Sequence, residues 1–259
     1  MDVVILCGGK GTRLSEETIS KPKPMVEIGG MPILWHIMKN YSYHGYKRFI
    51  LALGYKHEVI KKYFYEYKFM RDDFIIKLDR NENIKYLHHS DEKDWEIVFV
   101  NTGEETLKGG RIKRIEKYIK SNSFHLTYGD GVADVDINDL CNFHNSHESI
   151  GTVTAVRPPS RFGELKLEGD KVLDLEEKPQ MGQGFINGGY FIFDVEMLSY
   201  LSTKESCDFE FGALQKIAKN GGLRCYKHGG FWQCMDNIRE RDYLNKLVED
   251  QSAPWMVWK

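Results

Sequence analysis

Three glycines close to one another follow an apolar run near the start of the chain. The run covers residues 3–6, and Gly8, Gly9 and Gly11 come directly after it. A short apolar run that ends in glycines is typical of a strand buried on both faces. Successive backbone amides in a glycine-rich loop form a cradle for anions, most often phosphate. Arg13 adds a guanidinium whose donors suit phosphate oxygens, so the sequence predicts a phosphate-binding loop here.

Two common phosphate-binding motifs do not match this loop. A dinucleotide fingerprint that starts at Gly9 requires a glycine at position 14, where the chain has Leu14. A P-loop requires Gly-Lys followed by Ser or Thr at a fixed distance from its first glycine, and the chain has no such run. The alternative that the glycines serve only a tight turn stays open at this point.

A second segment with two lysines, residues 21–25, follows the glycine loop and reads Lys-Pro-Lys-Pro-Met. Its prolines favour an extended backbone, from which Lys23 can return toward the glycine loop. The loop, Arg13 and this segment together resemble the signature of the sugar-nucleotidyltransferases, or nucleoside-diphosphate-sugar pyrophosphorylases. The resemblance covers essentially the whole chain. Residues 15–18 and 26–38 are most similar to the members that use CTP and α-D-glucose 1-phosphate.

The resemblance implies a set of nucleotide-binding residues. These are Leu6, Cys7, Gly8, Gly9, Lys10, Gly11, Thr12, Arg13, Lys23, Thr106, Arg111 and Gly129, with Arg13 and Lys23 in catalytic roles. The family commonly has alanine where this chain has Cys7, and a buried cysteine is usually a small apolar filler rather than a nucleophile. From spacing alone, Arg111 is a surface arginine in the first turn of a helix. As a base-binding residue it offers only donors, which suits the acceptor N3 of cytosine and not the N3–H of uracil.

Two aspartates follow predicted strands and are candidate metal ligands. Asp130 comes just after the strand candidate 124–127, where open α/β sheets bind their ligands, and Asp236 ends an apolar, aromatic segment. From the residues alone, Asp130 is equally typical of a Gly-Asp-Gly turn, and Asp236 of the N-cap of the helix that follows. The resemblance implies that Asp130 and Asp236 bind Mg²⁺.

The resemblance also implies a binding site for the sugar phosphate. Residues 164–173 alternate around Gly169-Asp170, which predicts an inserted β-hairpin. The charged run 176–179 comes next and, without the resemblance, is typical of a solvated turn. The family's sugar and sugar-phosphate contacts correspond to Gly163, Glu177, Lys178 and Asn187.

The order of the predicted elements indicates the fold class. Strand, helix, strand and helix alternate over the first 67 residues, with a second buried strand at residues 48–53. This alternation predicts an α/β fold whose sheet is mostly parallel and covered by helices on both faces. The resemblance implies a Rossmann-like three-layer αβα sandwich with a small inserted β element. We expect one domain, 1–259, with a nucleotide-binding part at about 1–135 and a sugar-binding and C-terminal part at about 136–259.

The composition excludes several classes of partner. The chain has 36 Lys and Arg against 38 Asp and Glu, without a block of like charge, which predicts binding to neither nucleic acid nor an anionic membrane. The apolar run at the start is too short for a signal peptide or a membrane span. Five scattered cysteines predict reduced thiols in the cytoplasm. The apolar tail, residues 253–258, must pack on its own domain or on another subunit.

The expected reaction joins CTP and α-D-glucose 1-phosphate to give CDP-glucose and pyrophosphate with Mg²⁺. The attacking oxygen of the sugar phosphate is already ionised near neutral pH, so no general base is needed. The lack of a Ser-His-Asp or Cys-His arrangement in the sequence agrees with this. Two alternatives remain: the same chemistry with UTP, dTTP or another sugar 1-phosphate, and a catalytically silent regulatory subunit on the same fold. The resemblance further implies a homo-oligomer.

Overall fold

A computed structural model describes residues 1–78, 83–87, 90–158, 164–168, 171–176 and 184–259. The strands are β1 (Asp2–Cys7), β2 (Glu27–Ile28), β3 (Met31–Pro32), β4 (Arg48–Leu53), β5 (Phe74–Lys77), β6 (Asn83–Tyr86), β7 (Glu96–Asn101), β8 (Ser123–Tyr128), β9 (Gly131–Ala133), β10 (Gly151–Val156), β11 (Glu164–Glu168), β12 (Lys171–Glu176), β13 (Ile186–Asp194), β14 (Leu223–Lys227) and β15 (Trp232–Cys234). The α-helices are α1 (Ser15–Thr18), α2 (Ile33–Tyr43), α3 (His57–Tyr65), α4 (Tyr67–Arg71), α5 (Lys108–Arg114), α6 (Ile137–Asn145), α7 (Gln215–Lys219) and α8 (Ile238–Glu249).

The central sheet is mostly parallel, as predicted. Among the described residues its strand order is β14-β10-β13-β8-β1-β4-β7. Strand β1 pairs in parallel with β4 on one side and with β8 on the other. Strand β13 runs antiparallel to both of its neighbours. Because β1 and β8 are adjacent and parallel, their carboxyl ends meet at one edge of the sheet, and the residues that follow them are brought together.

Helices cover both faces of this sheet. Along β1, Val3, Ile5 and Cys7 pack in one apolar cluster with side chains of α2, whereas Val4 and Leu6 pack in a second cluster with Ile112 of α5. Alternate side chains of a strand point to opposite faces, so β1 is buried on both sides. The prediction of a three-layer α/β fold is confirmed.

Small antiparallel pairs are attached to this framework. The predicted hairpin exists as β11 paired with β12, although its turn, residues 169–170, lies outside the described residues. Strand β9 pairs with β15, with Gly131 opposite Cys234. The second pair matters for the site, since it joins the chain after β8 to a segment about one hundred residues further on.

The apolar C-terminal tail packs on its own chain. Trp255 is fully buried, and its ring stacks on Phe231 with 5.4 Å between the ring centroids. Trp255 Nε1 donates to Nδ1 of His36, and His36 Nε2 donates to the carbonyl oxygen of Ile28. Burial lowers the pKa of His36 to about 4, so this histidine is neutral at physiological pH. The tail therefore stabilises α2 and the segment that precedes it.

The five cysteines are free thiols, as their scattered positions predict. Within the described ranges, every helix is too short or too polar to cross a lipid bilayer.

Candidate active site

A cleft of about 400 Å³ opens where β1 and β8 end. The glycine loop after β1 forms one wall, and the residues after β8 form another. Other contributions come from the segment around Lys23, from α5, from the start of β13 and from β15. Ligands of open α/β sheets bind at this edge, so the cleft lies where the sequence places the phosphate site.

The glycine loop turns the chain sharply at the end of β1. Gly11 has φ +64°, a left-handed conformation that side chains rarely adopt. Its carbonyl oxygen accepts a hydrogen bond of 2.9 Å from the amide of Leu14, which closes the one-turn 3₁₀ helix Thr12–Leu14. That turn directs Arg13 to the mouth of the cleft. The Arg13 side chain is 74% exposed and donates from Nη1 to Oδ2 of Asp236 over 2.7 Å.

Lys23 returns to the glycine loop, as predicted, but its segment is not extended throughout. Pro22 is extended, whereas Lys23–Met25 form a 3₁₀ turn in which the amide of Val26 donates to the carbonyl of Lys23. The prediction of an extended segment is wrong here because one turn satisfies backbone groups that an extended chain would leave buried and unpaired. The turn buries Lys23 to 7% exposure.

The ammonium of Lys23 contacts two carboxylates. Nζ lies 2.6 Å from Oδ2 of Asp130 and 2.5 Å from Oδ1 of Asp236. Burial opposes the positive charge, but the two carboxylates outweigh burial and raise the pKa of Lys23 above its ordinary value. Lys23 therefore keeps its positive charge at the centre of the cleft.

The pairing of β9 with β15 brings Asp130 and Asp236 together. Besides the strand pairing, the amide of Met235 donates to the carbonyl of Asp130 over 2.8 Å. The alternative that Asp236 caps α8 is wrong. Asn237 is the N-cap, since its side chain accepts from the amide of Glu240, while the Glu240 carboxylate accepts from the amide of Asp236. The carboxylate of Asp236 is thus left to face the cleft.

These two carboxylates fit a magnesium ion. Mg²⁺ prefers oxygen ligands and is usually bound by one or two carboxylates together with substrate phosphates and water. Among the described residues, no group of three or more His, Cys, Asp and Glu side chains is arranged to hold a metal. Asp130 and Asp236 would therefore supply the protein ligands, and phosphate oxygens would supply others.

Arg111 is buried, so the interpretation as a surface arginine is wrong. It is 4% exposed, and burial together with the nearby Arg114 lowers its pKa. Its guanidinium donates to five oxygens from three segments of the chain: the carbonyls of Gly8, Leu53, Gly103 and Glu104 and the hydroxyl of Thr102. Arg111 lines the cleft and also joins the glycine loop to residues 102–104.

Of three further nucleotide-binding candidates, Thr106 and Lys10 have partners within the protein, and Cys7 is a buried thiol. Thr106 is buried, and its hydroxyl accepts from Nη1 of Arg114 over 2.8 Å. Lys10 pairs with Glu105 over 2.6 Å at the surface. Cys7 lines the cleft, but burial raises the pKa of its thiol, so Cys7 stays protonated and is not a nucleophile. Nucleotide contact by these residues stays a prediction.

The side of the cleft around Asn187 shows residues that the sequence did not single out. Asn187, a predicted contact, donates from Nδ2 to the hydroxyl of Tyr128, which in turn donates to Glu210 over 2.7 Å. Lys108 pairs with Glu210 and lies over the Tyr128 ring, 4.6 Å from its centroid. Glu210 belongs to the π-helical segment Phe209–Leu214, a conformation frequent at functional sites. The other predicted sugar contacts, Gly163, Glu177 and Lys178, lie outside the described residues.

Comparisons with known proteins identify similar chains. The sequence model of the family described as nucleotidyl transferase matches residues 2–235. A glucose-1-phosphate cytidylyltransferase of Salmonella typhi is 45% identical, and a probable glucose-1-phosphate cytidylyltransferase of Bacillus subtilis (strain 168) is 40% identical, each match covering 100% of both chains. The solved inositol-1-phosphate CTP transferase from T. maritima has a TM-score of 0.63 over 96% of each chain, at 16% identity, and shows the same fold.

Proposed function

The chain belongs to the nucleotidyl transferase family, and we propose that it transfers the cytidylyl group of CTP to α-D-glucose 1-phosphate. The products are CDP-glucose and pyrophosphate. The full-length similarity to a glucose-1-phosphate cytidylyltransferase and to a probable one supports this pair of substrates. The observation that carries the chemistry is the meeting of Arg13, Lys23, Asp130 and Asp236 beside a glycine loop at the end of β1.

The reaction brings two anions together, and most of the catalysis is positioning and charge stabilisation. An oxygen of glucose 1-phosphate attacks the α-phosphorus of CTP, and the bond to pyrophosphate breaks. The amides of residues 8–12 and the guanidinium of Arg13 hold the leaving pyrophosphate. Lys23 contacts the oxygens of the reacting phosphate. Lys178 holds the phosphate of the sugar, with Gly163, Glu177 and Asn187 around the sugar ring.

Mg²⁺ is the cofactor in this proposal, held by Asp130 and Asp236. When bound, the ion neutralises phosphate charge at the reacting centre. In our proposal Arg111, Thr106 and Gly129 contact the nucleoside end of CTP, and the guanidinium of Arg111 favours cytosine through N3. We further propose that the enzyme acts in the cytoplasm, where nucleoside triphosphates and reduced thiols occur together, and that it forms a homo-oligomer.

One experiment tests the substrates and the chemistry together. Pyrophosphate release is measured with Mg²⁺ for CTP, UTP, dTTP, ATP and GTP, each combined with several hexose 1-phosphates. We expect turnover with CTP and glucose 1-phosphate. Efficient turnover only with another pair would leave the chemistry in place and overturn the substrates, and folded protein without turnover on any pair would favour the silent-subunit alternative.

A matched pair of lysines provides the control. Lys23→Ala should reduce kcat by at least about a hundredfold, because it removes the cation that stabilises charge on the reacting phosphate. Lys21, two residues earlier, pairs with Glu17 and Glu27 outside the cleft. Lys21→Ala should retain turnover close to that of the unmodified enzyme.

A further inference from the structure

Two cations that line the cleft, Lys23 and Arg13, are paired with its two carboxylates. Lys23 Nζ lies between Asp130 and Asp236, and Arg13 contacts the second carboxylate oxygen of Asp236. In the proposed reaction these groups have other partners, since Lys23 and Arg13 contact phosphates while the two aspartates hold Mg²⁺. The groups must therefore exchange partners during the reaction.

Lys23 and a metal ion compete for the same two oxygens. A magnesium ion lies roughly 2.1 Å from each carboxylate oxygen that it binds. The ammonium of Lys23 is 2.6 Å from Oδ2 of Asp130 and 2.5 Å from Oδ1 of Asp236, so it lies where an ion shared by these oxygens would lie. Two cations so close together would also repel each other strongly. Metal binding to both aspartates therefore requires that Lys23 move away.

We propose that Lys23 is a competing cation, which keeps divalent metal from Asp130 and Asp236 until nucleotide phosphates attract its ammonium. The inference rests on the proposed function, because it uses the assignment of the two aspartates to the metal. When the phosphates bind, Lys23 gains phosphate oxygens as partners and the aspartates gain the metal, so each charge keeps an opposite charge beside it. Metal binding and nucleotide binding are then coupled, and the nucleotide-free enzyme binds metal weakly.

Its burial and its contact with both aspartates indicate that Lys23, rather than Arg13, competes with the metal. The side chain of Lys23 is 9% exposed and contacts both aspartates, whereas that of Arg13 is 74% exposed and contacts only Asp236. An exposed ion pair contributes little, because solvent screens it. Lysine also carries its charge on a flexible four-carbon chain, which allows the ammonium to change partners without a change of backbone.

The test measures metal binding to the full-length, nucleotide-free protein. Mn²⁺ prefers similar oxygen ligands to Mg²⁺, and its free concentration is read from its electron paramagnetic resonance signal. We expect Lys23→Met to lower the dissociation constant for Mn²⁺ by about tenfold or more, since it leaves two carboxylates without their cation. Lys23→Arg keeps the charge and should bind Mn²⁺ as weakly as the unmodified protein. Lys21→Met should also leave the affinity unchanged.

A double variant separates this inference from the metal assignment itself. Adding Asp130→Asn to Lys23→Met should abolish the gain in affinity. If Lys23→Met binds Mn²⁺ no more tightly than the unmodified protein, while Asp130→Asn still weakens the binding measured with CTP, the competition is refuted and the metal site stands. If Asp130→Asn changes neither the Mn²⁺ affinity of Lys23→Met nor the Mn²⁺ binding measured with CTP, the assignment of the metal ligands is wrong. Should Lys23→Met fail to fold, Lys23→Gln replaces it, with the rise in Tm on adding Mn²⁺ as a second measurement.

Discussion

Arg111 and Gly8 are interlocked in the wall of the cleft at the end of β1. Nη2 of Arg111 donates to the carbonyl oxygen of Gly8 over 2.9 Å, and a Cβ atom built on Gly8 would lie only 2.1 Å from Nη1. The guanidinium therefore packs directly over the backbone of the glycine loop. The loop holds its shape through a buried side chain more than one hundred residues away in the sequence.

A methyl group at Gly8 should displace that guanidinium. Gly8→Ala is expected to destabilise the protein by roughly 1–3 kcal/mol, because Arg111 must give up hydrogen bonds inside the protein. Gly9 is the matched control, since a Cβ built there meets no atom within 4 Å. Urea unfolding should show a lower midpoint for Gly8→Ala and a midpoint near that of the unmodified protein for Gly9→Ala. Equal midpoints for the two variants would contradict the interlock.

The preference for CTP over UTP tests the role of Arg111 in base selection. Arg111→Ala should reduce the ratio of kcat/KM for CTP to that for UTP by about tenfold or more, because a donor matched to cytosine N3 is lost. The same variant also loses five hydrogen bonds that hold residues 102–104 and the glycine loop. If kcat/KM falls by the same factor for CTP and for UTP, the role of Arg111 is therefore structural.

Arg114 supplies the control for that experiment. Its guanidinium donates to the carbonyls of Thr102 and Thr203 and to the hydroxyl of Thr106, so it supports the same loop from outside the cleft. Arg114→Ala should destabilise the protein while the ratio of CTP to UTP stays unchanged. If Arg111→Ala and Arg114→Ala give the same ratio, Arg111 does not read the base.

Glu210 should strengthen the binding of glucose 1-phosphate through its hydrogen bond with Tyr128. Its carboxylate accepts from the Tyr128 hydroxyl and pairs with Lys108, and Tyr128 accepts from Asn187, which we propose contacts the sugar. Glu210→Gln weakens a charge-assisted contact, and a loss of about 1.4 kcal/mol corresponds to a tenfold change in affinity. Steady-state kinetics should show a KM for glucose 1-phosphate raised about tenfold, with a smaller change in the KM for CTP. Glu205→Gln, at an exposed glutamate five residues earlier, should leave both KM values unchanged.

Local patterns in the sequence predicted the framework and the glycine loop. The apolar runs of β1 and β4 reflect burial directly, so the positions of these strands follow from their side chains. The alternation of residues 164–173 likewise predicted the pairing of β11 with β12. The buried state of Arg111 could not be predicted in this way. Its five partners come from three separate segments, and nothing in the residues around position 111 distinguishes this arginine from a surface one.

The pairing of Lys23 with Asp130 and Asp236 also could not be predicted from the sequence. Asp130 and Asp236 meet because β9 pairs with β15, and both strands are only three residues long. Strands this short carry almost no periodic signal. The contact of Lys23 with both aspartates depends in turn on that pairing and on the 3₁₀ turn after Pro22. Long-range pairings of this kind follow from the assembled fold.

The stability of the protein should fall as the pH is lowered from about 6.5 to about 4, partly because of His36. Burial lowers the pKa of His36 to about 4 from an ordinary value of 6.5. In this window the unfolded chain takes up a proton that the folded protein does not, so protonation favours unfolding. The contribution to the slope approaches 1.4 kcal/mol per pH unit for one such group. The stability is fully present above about pH 6.5 and is lost progressively as the pH approaches 4.

His36→Gln isolates this contribution. A glutamine amide can donate to the carbonyl of Ile28 and accept from Trp255 Nε1, as His36 does, but it does not titrate. His125 is also buried with a lowered pKa of about 3, and it contributes equally to both proteins. Urea unfolding between pH 7 and about pH 4.5 should therefore show a shallower loss of stability for His36→Gln, by nearly one proton per molecule. Parallel curves for the two proteins would mean that His36 takes up its proton in the folded state, which contradicts its packing under Trp255.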